Sequence, residues 1–253
     1  VPTVRLLGLD FADLTPRAAL TWLFDRPPAA PFGAVVTPNA DHLVRLARAP
    51  ALRPLYDQAA LRLLDSRVVA GLARALGLPV PPVVTGSDLT ADLLEELREP
   101  VTIIGLAPAW LAPLRARFRL PPPAHHNPPM GFEHDPVAFD AAVRFALAHP
   151  ARFTFLAVGS PRQERLAAAI AATGAARGIG LCIGASLEFL AGARPRAPRP
   201  MRAAGLEWLH RLACEPVRVG PRYLRDSPAV FGLLLRERFG ADPKPPSTSV
   251  RSR

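Results

Sequence analysis

Four short runs, GAVVT (33–37), VTIIG (101–105), FTFLAV (153–158) and IGLCIG (179–184), are apolar without the polar alternation of a strand that has one wet face. Each is too short for a helix, bounded by turn residues and rich in β-branched or aromatic side chains, so each reads as a strand buried on both sides. Between and around them, residues 39–48, 51–64, 88–98, 107–118, 136–149 and 161–173 place apolar side chains at helical spacing. Several of these segments open on Asn, Asp or Ser-Pro, which suit an N-cap or a first helical turn. Doubly buried strands separated by helices predict a mainly parallel α/β sheet flanked by helices on both faces. In such a sheet, ligands bind beyond the carboxyl ends of the strands. The Pro-rich stretch LPPPAHHNPPMGF (120–132) reads as a long loop within one domain.

Composition sets the outer bounds. At 253 residues and 49% hydrophobic content the chain can bury a core, which excludes a disordered protein. Its formal charge of +10 is unevenly placed: residues 1–190 carry 18 Arg against 16 acids, whereas residues 191–253 carry 12 Arg and Lys244 against 5 acids. The basic part is thus the C-terminal quarter, which points to an anionic partner met by one end of the molecule. Two cysteines, Cys182 and Cys214, are too few for a disulfide scaffold and have no C-x-x-C spacing, so a reducing compartment is expected. No window approaches the roughly 18 unbroken apolar residues of a membrane span, and the start VPTVRLLGLDFADL lacks the layout of a signal peptide. A cytoplasmic location is expected.

Sequence character changes after residue 192. Prolines at 195, 198 and 200 keep GARPRAPRPMR out of regular helix, and the following segment has Leu206, Trp208, Leu209 and Leu212 on an apolar helical side. A second helix is expected over 229–239, and ADPKPPSTSVRSR reads as a disordered tail. The expected division is a catalytic body at 1–192, an Arg-rich appendage at 193–240 and a tail at 241–253. Eight arginines, Arg194, Arg196, Arg199, Arg202, Arg211, Arg218, Arg222 and Arg225, fall within 32 residues, interleaved with Trp208, Leu209 and Tyr223. Three readings stand on these residues alone: a membrane-surface element gripping a lipid diphosphate, a nucleic-acid surface, or a solvated face.

Four places offer chemistry. At Val35-Val36-Thr37-Pro38-Asn39 a buried strand ends in small polar residues before a helix; Asn39 either caps that helix or faces a phosphate or sugar. Asp65 stands alone between two apolar segments, as a general base or as the N-cap of residues 66–76. Val158-Gly159-Ser160-Pro161-Arg162-Gln163-Glu164 joins a strand to a helix; Gly159 permits close backbone approach, Arg162 and Gln163 can donate to a sugar or diphosphate, and Glu164 is otherwise an ordinary first-turn acid. The turn beginning at Gly184 ends the next strand in the same style, so the two turns are expected to face one crevice. Gly86 and Gly105 complete the donor-side candidates. No D-x-D is present, and the His125-His126 pair, with His134 nearby in the same loop, has no third ligand at usual spacing, so no metal and no cofactor is expected. Walker A, G-x-G-x-x-G and G-x-S-x-G motifs are absent.

Taken in order, TPNADHLV (37–44), the Asp65 segment, VTGSDLT (84–90), VGSPRQE (158–164), IGASLEFLAGARPRAP (183–198) and GLEWLHRLACEPVR (205–218) resemble the bacterial glycosyltransferases of the WecG/TagA/CpsF type, glycosyltransferase family 26. The resemblance implies a Rossmann-like domain with a C-terminal appendage. It further implies an inverting, metal-independent transferase that moves N-acetylmannosamine, its uronate or glucose from a UDP donor to a polyprenyl-diphosphate-linked sugar. The reaction would take place at the cytoplasmic membrane face, in cell-surface or exopolysaccharide assembly. By motif, Asp65 matches the base, Thr37, Asn39 and Gln163 match polar pocket residues, and Arg211, Arg218 and Arg222 match arginines that bind the acceptor diphosphate. The chain departs from the family twice: Asp65-Ser66-Arg67-Val68 replaces D-G-x-G, and Val83 stands where Arg commonly precedes V-x-G-x-D-L.

Two rivals come from other classes. An Arg-rich nucleic-acid-binding protein would bind with steep salt dependence, but the sequence holds no recognisable module for it, and no nucleic-acid partner is expected. A glycoside hydrolase needs two carboxylates roughly 5–9 Å apart, and Asp65 is the one clear candidate.

Overall fold

In the computed structural model, residues 1–198, 200–201, 205–214 and 216–240 are described, with the side chains of 211, 218, 219 and 221–227 set apart from that description. The chain opens with an antiparallel hairpin, β1 (Thr3–Leu6) and β2 (Leu9–Ala12), turned at Leu7-Gly8 with both residues at positive φ. It is followed by α1 (Pro16–Asp25), β3 (Gly33–Val36), α2 (Ala40–Arg48), α3 (Arg53–Asp57), β4 (Leu61–Arg62), α4 (Arg67–Ala75) and α5 (Gly86–Glu96). Then come β5 (Thr102–Gly105), α6 (Leu111–Phe118), β6 (Ala124–His126), α7 (Pro136–Ala148), β7 (Phe153–Ala157), α8 (Arg162–Ala172), β8 (Ile179–Cys182) and α9 (Ser186–Ala191). After the Pro-rich stretch come α10 (Glu207–Cys214) and α11 (Pro216–Phe239).

Six strands form one parallel sheet in the order β4-β3-β8-β7-β5-β6. Its register explains the missing polar alternation. Val35, Leu181, Phe155 and Ile103 stand in one row across the strands and Val36, Cys182, Leu156 and Ile104 in the next. Adjacent rows point to opposite faces. The first row packs with Leu93, Leu114 and Leu187 under α5, α6 and α9. The second packs with Val44, Val69 and Leu166 under α2, α4 and α8. Every position in these two rows therefore meets a core.

Three expectations are corrected. Residues 51–64 are not one helix: a 3₁₀ turn at Pro50–Leu52 and short α3 lead into β4. There Leu61 and Leu63 enter one core and Leu64 the other, which only an extended chain allows. The Pro-rich loop at 120–132 contains the edge strand β6, paired in register with β5. The N-cap of α4 is Ser66, whose hydroxyl accepts from Val69 N at 3.1 Å, and not Asp65. Ser66 sits at φ −158°, extended backbone that needs no glycine.

Helix α11 is longer than 229–239, beginning at Pro216. Its C-terminal part is fastened to the body: Val230 and Leu234 are buried in the second core, Glu237 accepts from Leu7 N at 2.6 Å, and Arg238 donates to Leu76 O at 2.9 Å. Body and appendage thus share a core. Near residue 195, Arg194 pairs with Glu188 at 2.6 Å and Arg196 with Asp88 at 2.8 Å, so the Pro-rich connection is held to α9 and α5. Among the described residues no helix is long and apolar enough to cross a membrane. Residues 241–253, Arg199, Arg202 and the side chains of Arg211, Arg218, Arg222 and Arg225 lie outside the described set.

Candidate active site

The strand order brings the carboxyl ends of β4 and β3 together, and with them Asp65 and Thr37. Asp65 N donates to Pro38 O at 2.9 Å, extending the β3–β4 ladder past its last paired residues. On the other side of β4, Val84 N donates to Leu64 O at 2.9 Å, which sets the start of α5 beside the same corner. There Gly86 N donates to Asp65 Oδ2 at 2.9 Å. The fit leaves no space: a Cβ on Gly86 would lie 2.7 Å from Thr37 Oγ1 and 3.5 Å from Asp65 Oδ2. Thr37 is buried and Asp65 half-buried, so the corner is a carboxylate fixed by one helix N-terminal amide with a threonine at its side. Thr85 caps α5 through Asp88 N, and Asp88 in turn accepts from Arg196.

Asn39 has a structural duty. Its Oδ1 accepts from Asp41 N and His42 N while His42 Nδ1 accepts from Asn39 N, a reciprocal cap on α2 one residue beyond Pro38.

The turns after β7 and β8 are tied by Gln163. Its carbonyl accepts from Gly184 N at 2.8 Å and its amino group donates to Glu164 Oε1 at 3.0 Å. Gln163 and Glu164 are both 2% exposed, so in this structure they brace the crevice from behind instead of lining it. Glu164 Oε2 is buried with no hydrogen-bond partner among the described residues. Gly159 and Gly184 take φ values of 79° and 54°, the left-handed region that permits these tight turns. Arg162 is engaged with Glu133 at 3.7 Å. Gly105 lies away from the Asp65 corner, four strands from β4 or about 19 Å at ~4.8 Å per strand, but beside the β7 turn, where it pairs with Ala157 two residues before Gly159. Its φ of 100° and the Ala157 carbonyl, 2.6 Å from where a Cβ would lie, make it a close backbone crossing.

The sequence reading missed a polar network next to these turns. Arg45 donates to Ser160 Oγ at 2.8 Å and is held by Asp41 at 2.7 Å, while Tyr56 OH lies 3.2 Å from the same Ser160 oxygen. Burial, with the nearby Glu164 charge adding to it, pushes the Tyr56 phenol and the Cys182 thiol well above their usual ranges. The Asp41–Arg45 spacing of four on α2 was the available signal, but Tyr56 and Ser160 meet it only through folding. Of the histidines, His125 Nε2 faces the carbonyl oxygens of Gly105 and Leu106, and His126, held below the usual imidazole range by burial and then by His125, stacks on Phe145. Among the described residues no three His, Cys, Asp or Glu side chains gather as a metal-holding group.

A family model described as the glycosyl transferase WecG/TagA/CpsF family matches residues 4–244 of the chain. The chain belongs to this family. It is a glycosyltransferase on a Rossmann-like α/β fold, and the family match takes in the body, the Pro-rich connection and α11 together. Within the transferase, Asp65, Thr37 and Gly86 converge at one corner, and Gln163, Glu164, Gly159 and Gly184 at the adjacent pair of turns. Asn39 supports the first group, and Gly105 lies beside the β7 turn of the second.

Proposed function

We propose that the chain is an inverting, metal-independent transferase that moves a sugar from a UDP donor to a polyprenyl-diphosphate-linked sugar in cell-surface or exopolysaccharide assembly, at the inner face of the plasma membrane. The observation that carries this is the Asp65 carboxylate, placed at the carboxyl edge of a parallel sheet and oriented by Gly86 N, in a chain of the glycosyltransferase family. Asp65 takes the proton of the acceptor hydroxyl as that oxygen bonds to the donor's anomeric carbon. The carbon–oxygen bond to UDP breaks on the opposite face, and its electron pair leaves on the β-phosphate. Thr37 supports the acceptor side of the corner. The turns at Gly159 and Gly184, with Arg162 at the start of α8, offer backbone amides and a cation to the UDP phosphates. Arg211, Arg218 and Arg222 are proposed to meet the acceptor at the membrane, where the exposed Trp208, Leu209 and Val217 are suited to dip into the lipid interface.

The test is UDP release by the purified protein with UDP-N-acetylmannosamine, its uronate or UDP-glucose and a short-chain polyprenyl-diphosphate-sugar, beside Asp65→Asn and with EDTA. Acceptor-dependent release with one donor, lost in the variant and indifferent to EDTA, supports the proposal and names the sugar. Release that survives Asp65→Asn rejects the assigned base, and release that EDTA abolishes rejects metal independence.

A further inference from the structure

The Asp65 carboxylate takes its direction from Gly86 N, the first amide of α5, so whatever fixes the start of α5 also fixes Asp65. Further along, α5 is anchored in the first core by Leu89, Leu93 and Leu94, whereas its first turn is held by polar contacts. Thr85 Oγ1 accepts from Asp88 N at 3.2 Å and donates to Asp88 Oδ2 at 2.7 Å, and Arg196 Nη2 donates to Asp88 Oδ1 at 2.8 Å. The ion pair therefore bears on the turn that contains Gly86, two residues before Asp88. Ser87 Oγ lies 3.0 Å from Ser186 Oγ, both buried, which ties the same turn to α9. Arg196 is itself firmly placed. Its side chain is 15% exposed, and it stands between Pro195 and Pro198, whose rings fix the backbone φ, next to the buried Ala197. Its Nε is buried with no hydrogen-bond partner among the described residues, a cost set against the charge-assisted contact with Asp88. A pair so far withdrawn from water is screened less than the pair of Arg17 with Glu96 at the far end of the same helix, 77% and 45% exposed.

We infer that Arg196 is a positioning residue of the transferase: through Asp88 it fixes the first turn of α5, and through Gly86 N it fixes the Asp65 carboxylate. Arg196 acts through the helix and not on the substrate. The Pro-rich connection between body and appendage is thereby part of the corner that holds Asp65, although it lies far from Asp65 in the chain. The role in turnover rests on the reading of Asp65 as the base; the hold on Gly86 does not.

The experiment is amide hydrogen exchange at Gly86, read by NMR on the full chain, together with UDP-release kinetics using the same donors and acceptor. In Arg196→Gln the Gly86 amide should exchange at least about tenfold faster, while Val84 N, bonded to Leu64 O, keeps its protection; this separates a turned helix start from general unfolding. The same variant should lose about 10- to 100-fold in kcat, the scale of a misplaced reacting group, with KM for the UDP-sugar within about twofold. Arg196→Lys keeps a cation for Asp88 and should recover most of both quantities. Asp88→Asn keeps an oxygen for Thr85 but loses the charge that Arg196 meets, so it should reproduce the effects of Arg196→Gln. The double variant Arg196→Gln/Asp88→Asn should then lose no more than Asp88→Asn alone. Arg17→Gln, which breaks the exposed pair at the other end of α5, should change each quantity by less than about twofold. Unchanged Gly86 exchange in Arg196→Gln overturns the proposal, as do losses that add in the double variant, or faster Gly86 exchange with kcat unchanged. Failure of the underlying transferase reading is separable. Full turnover by Asp65→Asn rejects Asp65 as the base whatever Arg196 does, and a wild type that releases no UDP from any donor rejects the donor chemistry and leaves Gly86 exchange to uphold or overturn the hold on α5.

Discussion

At the scale of single residues, the proposed chemistry depends on a corner with no spare volume. Asp65→Asn keeps an oxygen able to accept from Gly86 N, so the fold should survive while the proton acceptor is lost. The expected outcome is a fall in kcat of about 100- to 10,000-fold, the usual worth of a general base, with an unchanged thermal midpoint. Gly86→Ala tests the packing in the opposite direction. Its methyl would meet Thr37 Oγ1 at 2.7 Å, so the variant should lose about 1–3 kcal/mol of stability in urea titration, as overpacked cores do, and lose activity with it. Tyr56 gives a pH signature. Its phenol is 1% exposed and held neutral by burial, whereas the unfolded chain ionises around the ordinary value of 10.0. Its contribution to stability is complete below pH 10 and declines as pH rises above it towards the folded-state value. In a Tyr223→Phe background, phenolate absorbance should therefore lag behind that of free tyrosine and rise with the loss of circular dichroism. Phenolate absorbance that follows the free amino acid would falsify the burial. Asp65 was visible as a lone carboxylate between apolar segments. Its pairing with Gly86, which the sequence offered for the donor side, was not, because 21 residues separate them and it takes the Leu64–Val84 pairing of the folded chain to bring them together.

At the scale of elements, α11 combines two behaviours in one helix. Leu234 is fully buried against the body, and Leu234→Ala should cost about 2–5 kcal/mol by chemical denaturation. Val217, at 90% exposure near the other end, should change stability by less than about 0.5 kcal/mol when replaced by Ala. Similar losses at both sites would show that the helix is packed along its whole length. Helices with a cap and a clear apolar side, such as α2 behind Asn39 and α7 behind Asp135, were legible to within a residue or two. The stretch at 51–64 was not, because LRLL satisfies a helical or an extended pattern equally and its two-core burial is a property of the assembled sheet. The edge strand β6 escaped notice because its three residues, Ala124–His126, are half-buried and carry no apolar run.

At the scale of the whole molecule, charge and exposed apolar surface coincide at the C-terminal end. Arginine-rich sequence from 194 onward lies in the same segment as the exposed Leu206, Trp208, Leu209 and Val217. Binding to anionic vesicles should accordingly weaken as salt is raised, and Trp208→Ala/Leu209→Ala should reduce it while leaving the body folded. Flotation of vesicles with and without anionic lipid decides this, and salt-independent binding would count against the electrostatic part. The sequence by itself determined the parallel α/β class, the strands at its centre, the basic C-terminal quarter and Asp65 as the residue to examine. These follow from local pattern: burial on both faces removes polar alternation, and a lone carboxylate is visible against apolar neighbours. Tertiary structure alone decided that Gln163 is a brace, that Arg45, Ser160 and Tyr56 form one network, and that Arg196 reaches Asp88 in the first turn of α5. The reason is physical. Which strands become neighbours is fixed by how helices cover both faces of a sheet, and residues distant in the chain acquire partners only once that order is set.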